Sequence, residues 1–310
     1  MKTLPTLFRT ALPSSPAARK QLDETIEERL RAVREKDSAL ATSLEAIKPA
    51  LRKTLLASVW PGRSQGATTQ EIFETLVYAT RSLTSERPVI TAGIWDLNSG
   101  TPETAQAIAL LNEPQKRIAF FPVRAPIQAG LISDPERVRA WLRGLNVKLQ
   151  QKERLEVEAN TIADDFYPQA ESVLRDTGLD YMVGVTGSEI AFQVGEDVTW
   201  NYFTTGRRRT LLVSTQGLRT YAKRARRPVE VAIAIMILAE LLVRINPKLD
   251  YHDETRGCLF DFNADRDSIV EGIKRCGVDE ECLAKMRADF RQPTLDILKG
   301  LKSYKRSATE

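Results

Sequence analysis

Histidine and cysteine are scarce in this chain. Its 310 residues include one histidine and three cysteines, and all four lie in the window from His252 to Cys282. Imidazole and thiol groups are the side chains that soft metals prefer and that most nucleophilic enzymes need. Metal or covalent chemistry is therefore expected near the C-terminus or not at all. The small, odd number of cysteines argues against a disulfide framework and predicts a reducing, cytoplasmic environment.

Long apolar runs and common nucleotide or hydrolase motifs are also absent from the sequence. The longest apolar run, Val231 to Ile245, contains Glu240 and is too short to cross a bilayer. The N-terminus predicts no signal peptide. Gly-x-Ser-x-Gly, a phosphate loop and a dinucleotide fingerprint do not occur. A composition of 42% hydrophobic and 28% charged residues predicts a soluble protein without a membrane partner. The net charge of +4 is compatible with nucleic-acid binding but does not by itself indicate it.

The order of predicted elements indicates an α/β fold, with α+β as the alternative. Residues 1–113 are predicted to form a helical N-terminal region with one strand, and residues 114–310 an α/β domain with a mixed sheet and a buried helix. Short apolar runs predict the strands, and a longer run that is hydrophobic nearly all round predicts the buried helix. The clearest of these elements are Pro88–Leu97, Ile118–Val123, Leu179–Val185 and the helix Pro228–Ile245.

The N-terminal region begins with a long charged helix, predicted from Pro16 to Ile47. Its apolar residues follow a seven-residue pattern that Asp37 interrupts. One interpretation is a helix packed on its own domain, and the other is a seam for a protein partner or for self-association. The stripe consists of Ile26, Leu30, Val33, Leu40, Leu44 and Ile47.

The C-terminal window supplies the candidate metal ligands His252, Cys258, Cys276 and Cys282. Together they have the composition of a Cys₃His zinc site. The intervals of 5, 17 and 5 residues between them differ from the closely spaced pairs of compact structural sites. The alternative is three half-buried cysteines and a surface histidine. A further hypothesis is a catalytic Cys258–His252 dyad, for which the alternative is a structural cysteine. Another is a hard-cation site among the acidic residues after His252, for which the alternative is a solvated acidic face.

Two basic clusters are the other candidate site, and both suggest contact with nucleic acid. Aromatic residues lie near them in the sequence, so that phosphates could be neutralised and bases stacked. The alternative is a solvated basic edge. The clusters are Arg207, Arg208 and Arg209, and Lys223, Arg224, Arg226 and Arg227.

The order of elements and the C-terminal window resemble the archaemetzincins, a branch of the zincin-fold metallopeptidases. In this resemblance Val183-Gly-Val-Thr186 is the strand and turn, Thr210–Thr215 is the edge strand, and Val229–Ile245 is the active-site helix. His252 matches the third zinc-binding histidine, and Phe260 stands at the methionine. The positions of the four structural cysteines are held by Asp253, Cys258, Asp279 and Cys282.

Departures from the family pattern change what the resemblance implies. The first histidine, the glutamate and the second histidine fall on Leu242, Val243 and Asn246, and the glycine on Leu249. A hydrolytic zinc site needs three ligands and a general base. The resemblance therefore implies a zincin-like fold with no catalytic residues and no cofactor, zinc being the alternative. We expect a non-catalytic binding or regulatory protein, such as a bacterial accessory subunit. The alternatives are a nucleic-acid-binding protein and a metal-dependent hydrolase with an unrecognised site.

Overall fold

The computed structural model describes residues 90–99, 103–123, 125–127, 131, 134–145 and 147–305, together with five positions nearer the N-terminus. Those five positions are helical and exposed: Glu24, Glu27, Arg31, Arg34 and Glu35. All six residues of the predicted apolar stripe lie outside the described residues, so its role as an interface stays a prediction. No helix in the described part of the chain is long and apolar enough to cross a membrane.

The described region alternates strands and helices. The strands are β1 Ile90–Asp96, β2 Ile118–Val123, β3 Thr161–Ile162, β4 Tyr181–Thr186, β5 Ile190–Val194, β6 Asp197–Tyr202, β7 Thr204–Arg207 and β8 Thr210–Ser214. The helices are α1 Glu103–Asn112, α2 Pro135–Leu145, α3 Gln151–Glu158, α4 Ala163–Thr177, α5 Leu218–Arg224, α6 Val229–Ile245, α7 Ile269–Arg275, α8 Glu280–Lys285 and α9 Ala288–Ser303. A short 3-10 turn, Arg266–Ser268, precedes α7.

The strands form two sheets, which confirms the predicted α/β class with a mixed sheet. The main sheet has the order β2-β1-β4-β8-β7. Its first four strands are parallel, and β7 is an antiparallel edge strand. A smaller sheet has the order β3-β5-β6. The sequence from Val198 to Thr204 predicts one strand, but the structure divides it at Phe203, because β6 pairs in the small sheet and β7 in the main one.

Helices cover both faces of the main sheet, as parallel strands require. Successive side chains of a strand point to opposite faces. Leu211 and Val213 of β8 therefore pack with α6, while Leu212 between them packs with α4. Fifteen residues of α6 are buried, in agreement with the prediction of a buried helix. At Gly184 of β4, an added Cβ would lie 2.5 Å from the Phe166 ring, so α4 approaches the sheet too closely for a side chain there.

The predicted boundary between residues 113 and 114 cuts through this sheet. Strand β1 lies before the boundary, yet it pairs with β2 on one side and with β4 on the other. Helix α1, which ends at Asn112, packs on α6 in the same hydrophobic core. An interior strand and a core helix cannot be separated from their own sheet. We therefore propose that the domain starts at or before Ile90.

Candidate metal centre

The chain between α6 and α8 is shaped by two isolated strand-like contacts. His252 pairs with Asp261, and Cys258 pairs with Gly277. The amide of His252 donates to the carbonyl of Phe260 (3.0 Å), and the amide of Leu259 donates to the carbonyl of Gly277 (2.8 Å). These pairings fold the His252 loop onto the segment that leads into α8, and so bring residues distant in sequence to one place.

Three of the four predicted ligands meet there. His252, Cys258 and Cys282 each offer one ligand atom, and these atoms lie within 4.8 Å of one another. Zinc binds sulfur at about 2.3 Å and nitrogen at about 2.0–2.1 Å, so two ligands of a tetrahedral ion lie about 3.5–3.8 Å apart. Both cysteines are buried, with 2% and 3% of their surface exposed. The three groups therefore stand close to the spacing of a zinc site.

Cys276, the fourth predicted ligand, does not belong to this group. Cys276 ends α7 in the left-handed conformation (φ 44°). Its thiol donates to the carbonyl of Ile273 at 3.1 Å. The sequence intervals gave no sign of this, because the helix end turns the thiol into the core. The cysteines are also fully buried, not half-buried.

The hydrogen bonds of His252 leave one ring nitrogen for a metal. Its Nδ1 lies 3.0 Å from the carbonyl oxygen of Glu254 and 3.6 Å from Oδ1 of Asp261. Its Nε2 is buried and has no hydrogen-bond partner within the described residues. A proton on Nδ1 can be donated to that carbonyl, which leaves the lone pair of Nε2 unused. Metal-binding histidines are commonly oriented by such a bond from the other ring nitrogen.

Asp261 holds the loop in shape. One of its oxygens, Oδ2, accepts hydrogen bonds from three successive backbone amides, those of Arg256 (3.0 Å), Gly257 (2.7 Å) and Cys258 (3.0 Å). Gly257 adopts a φ of 73°, which favours glycine. Burial raises the pKa of Asp261, while the Gly257 and Arg256 amides and the charge of His252 lower it. Asp261 thus fixes the backbone that presents the Cys258 thiol.

The electrostatics of the two thiols fit a metal ion better than a nucleophile. Burial raises the pKa of Cys258. Burial first, and then the neighbouring Cys258 and Asp279, raise the pKa of Cys282 to about 12. A nucleophilic cysteine needs a lowered pKa, so these values argue against the Cys258–His252 dyad. A divalent cation would favour both thiolates, because it supplies the missing positive charge. The donor set therefore fits zinc.

The positions matched to the peptidase residues have structural roles. Leu242 is fully buried and Asn246 is 1% exposed. The amide nitrogen of Asn246 donates to the carbonyl of Leu242 (2.7 Å), and its oxygen accepts from the backbone amide of Arg287 (2.8 Å). Neither residue offers a free ligand atom, and the third position is Val243. These positions cannot assemble a three-ligand zinc site.

A partly buried ion pair occupies the face of α6 that lies beneath the edge strand β7. Oε1 of Glu240 accepts from Nε (3.1 Å) and Nη2 (3.0 Å) of Arg244, and Oε2 accepts from the hydroxyl of Tyr251 (2.9 Å). A Cβ on Gly206 of β7 would lie 2.6 Å from Glu240 Oε1. Sequence reasoning missed this cluster, although a glutamate inside an apolar run with an arginine four residues later is the signal for it.

The two basic clusters lie towards different ends of α6. Residues 207–209 are exposed at the turn after β7, near Glu240, whereas residues 223–227 precede the start of α6. The eleven residue-to-residue steps from Val229 to Glu240 raise the helix by about 16 Å. Two members of the second cluster have protein partners: Arg224 pairs with Asp267 (2.7 Å), and Arg227 donates to the carbonyl of Lys302 (2.6 Å). Nucleic-acid binding by these clusters stays a prediction.

Comparison with solved structures gives two similar proteins. The archaemetzincin of Archaeoglobus fulgidus, complexed with malonate, is 14% identical, with a TM-score of 0.40 over 64% of this chain and all of that one. A zinc-dependent peptidase from Methanocorpusculum labreanum is 12% identical, with a TM-score of 0.37 over the same shares. No protein-family model and no curated protein matches the chain. The chain thus has a weak archaemetzincin-like resemblance, and no residue's role passes to it from those proteins.

Proposed function

We propose that this chain is a non-hydrolytic binding or regulatory protein whose C-terminal region is stabilised by a structural zinc ion. The observation that carries the proposal is the convergence of His252, Cys258 and Cys282 around one point with Nε2 of the histidine unused. When bound, zinc would supply positive charge to two buried thiolates. The metal would join the loop after α6 to the short helix α8, which carries Cys282.

The same region argues against hydrolysis. A catalytic zinc keeps one coordination position open for water and needs a nearby general base. Asp261, which lies beside His252, uses one carboxylate oxygen to accept three backbone amides, and its other oxygen is buried 3.6 Å from Nδ1 of His252. The positions matched to the two histidines of a metallopeptidase helix are Leu242 and Asn246, and neither offers a free ligand atom. Without the zinc ligands and the general base of a metallopeptidase, the chain is best suited to a binding role.

Hydrolysis of an unfolded protein substrate by the zinc-loaded chain tests this proposal. We expect a rate equal to that of buffer for the wild type and equally for His252→Ala. The Cys276→Ser variant is the matched control, because Cys276 lies outside the ligand group. Zinc-stimulated hydrolysis that persists in Cys276→Ser and disappears in His252→Ala would overturn the proposal, and it would favour a metal-dependent hydrolase.

The proposed partner is a protein, bound through the apolar stripe from Ile26 to Ile47. Its support is the seven-residue pattern alone. The five described positions in this segment are helical and exposed, as expected for the polar faces of such a helix. A second copy of the chain is the other occupant that this pattern allows, so the mass of the protein in solution separates the two.

A further inference from the structure

The turn between β7 and β8 carries three exposed arginines. Arg207 pairs with Thr210 across the two strands, so the turn itself consists of Arg208 and Arg209. All three arginines are exposed, and none forms an ion pair with a carboxylate of the residues that the structure describes. Arg208 has a φ of 55°, a conformation that favours glycine at the first position of a two-residue turn. The turn therefore keeps a positive charge where glycine would be less strained.

Further cations lie beside this turn, at the C-terminal end of α6. A Cβ on Gly206, the residue that precedes the three arginines, would lie 2.9 Å from Nε of Arg244. Close to it at the end of the same helix, Oδ1 of Asn246 accepts from the backbone amide of Arg287 at 2.8 Å. Lys248 follows in the next turn of the chain and is exposed. The basic surface that results consists of Arg207, Arg208, Arg209, Arg244, Lys248 and Arg287.

Ion pairs neutralise the basic surface only in part. Glu240 binds Arg244. Asp289 accepts from Arg287 at 2.9 Å and from Arg117 at 3.2 Å, so two guanidiniums share one carboxylate. The other cations, at the turn and at position 248, have no ion pair within the described part of the chain. Uncompensated positive charge on one surface favours a polyanionic partner.

We propose that the basic surface binds the phosphodiester backbone of a nucleic acid without sequence preference. This is a second partner, separate from the protein proposed for the N-terminal stripe, and the surface contains no ligand of the metal centre. All but one of its cations are arginines, whose planar guanidiniums match phosphate oxygens in pairs. Contacts to phosphates carry no sequence information. None of the large apolar side chains that the described region exposes belongs to this surface, although a membrane-binding face needs them.

The cluster from Lys223 to Arg227 is not part of the basic surface. It lies before the start of α6, and two of its members, Arg224 and Arg227, already have protein partners. Its exposed members Lys223 and Arg226 provide a matched control, because Arg226 has the same φ of 55° as Arg208. The two pairs of residues thus have the same charge and similar exposure in different places.

Fluorescence anisotropy of the full chain with short labelled nucleic acids of random sequence tests the proposal. The probes are single-stranded DNA, single-stranded RNA and duplex DNA. Arg208→Gln with Arg209→Gln should lower the affinity at least about 10-fold at about 50 mM salt. The slope of log affinity against log salt should become shallower by about 1.4–1.8, because two phosphate contacts of about 0.7–0.9 each are lost. Lys223→Gln with Arg226→Gln should behave like wild type.

Arg208→Gly separates the charge of the turn from its fold, because glycine favours the φ that Arg208 adopts. This variant should bind more weakly than wild type, while its melting temperature should be equal or higher. Equal losses of affinity in the two double variants would show a general charge effect and would overturn the proposal. A wild type that binds none of the three probes at low salt, or that binds only vesicles containing phosphatidylserine, would overturn it as well.

Discussion

Zinc is expected to raise the melting temperature of the wild-type protein, and removing a single ligand should abolish that rise. A ligand that binds only the folded state stabilises it by about 2.7 kcal/mol at a hundredfold excess over its dissociation constant, and by about 4.1 kcal/mol at a thousandfold excess. For a domain of roughly 150–250 residues, 1 kcal/mol shifts the melting temperature by about 2–4 °C. Zinc should therefore raise it by about 5–16 °C over the chelated protein.

Two buried cysteines in the same region make the assay specific. Cys258 is 2% exposed and Cys276 is 4% exposed. Replacing either with serine should cost about 1–3 kcal/mol if the new hydroxyl lacks a partner. Only Cys258→Ser should also remove the zinc-dependent shift in differential scanning calorimetry, because only Cys258 belongs to the ligand group. Equal zinc-dependent shifts in the two variants, or none in the wild type, would refute the reasoning.

Three further predictions concern the rest of the chain. Glu240→Gln should lower the free energy of unfolding in urea by about 1–3 kcal/mol. The loss should be smaller than for a fully buried ion pair, because Arg244 is 33% exposed. An unchanged free energy of unfolding would contradict the role of the ion pair. Burial raises the pKa of Tyr167 to about 12, so its contribution to stability is complete below pH 10 and is lost as the pH rises towards 12. Between pH 10 and 12 the free energy of unfolding of the wild type should therefore fall relative to that of Tyr167→Phe by at most about 2–3 kcal/mol. Parallel pH profiles of the two proteins would exclude this contribution. Leu30→Asp with Leu44→Asp should reduce the mass of a complex in light scattering without changing the melting of the described domain; identical mass would remove the interface.

The core elements of the fold could be predicted because they are buried on every side. Strand β8 and helix α6 are mostly apolar, since parallel strands and a central helix have no solvated face. The sequence from Ser133 to Glu153 predicts a single helix, but the structure has two there, α2 and α3. The backbone amide of Gln150 donates to the Glu153 side chain (2.7 Å) and starts α3 anew. This capping contact is local in sequence, but the apolar pattern continues across residues 145–151 and so predicts one helix in place of two.

The candidate site was predictable in its location and only partly in its members. The scarcity of histidine and cysteine pointed to the window that holds it. The ligand group itself depends on the pairing of Cys258 with Gly277, a contact between distant segments that no interval in the sequence reveals. The same pairing brings Asp279 to the thiols and leaves Cys276 in the core. Short helices such as α5, α7 and α8 were missed because tertiary contacts, more than their own periodicity, stabilise them.

The zinc content of the purified chain tests the central claim most directly. Elemental analysis should find one zinc ion per wild-type chain and one per chain of Cys276→Ser. His252→Ala and Cys258→Ser should each have lost it, because both ligands belong to the converging group. A wild-type chain that takes up no metal when zinc is supplied, or one whose zinc survives both ligand substitutions, would contradict the account.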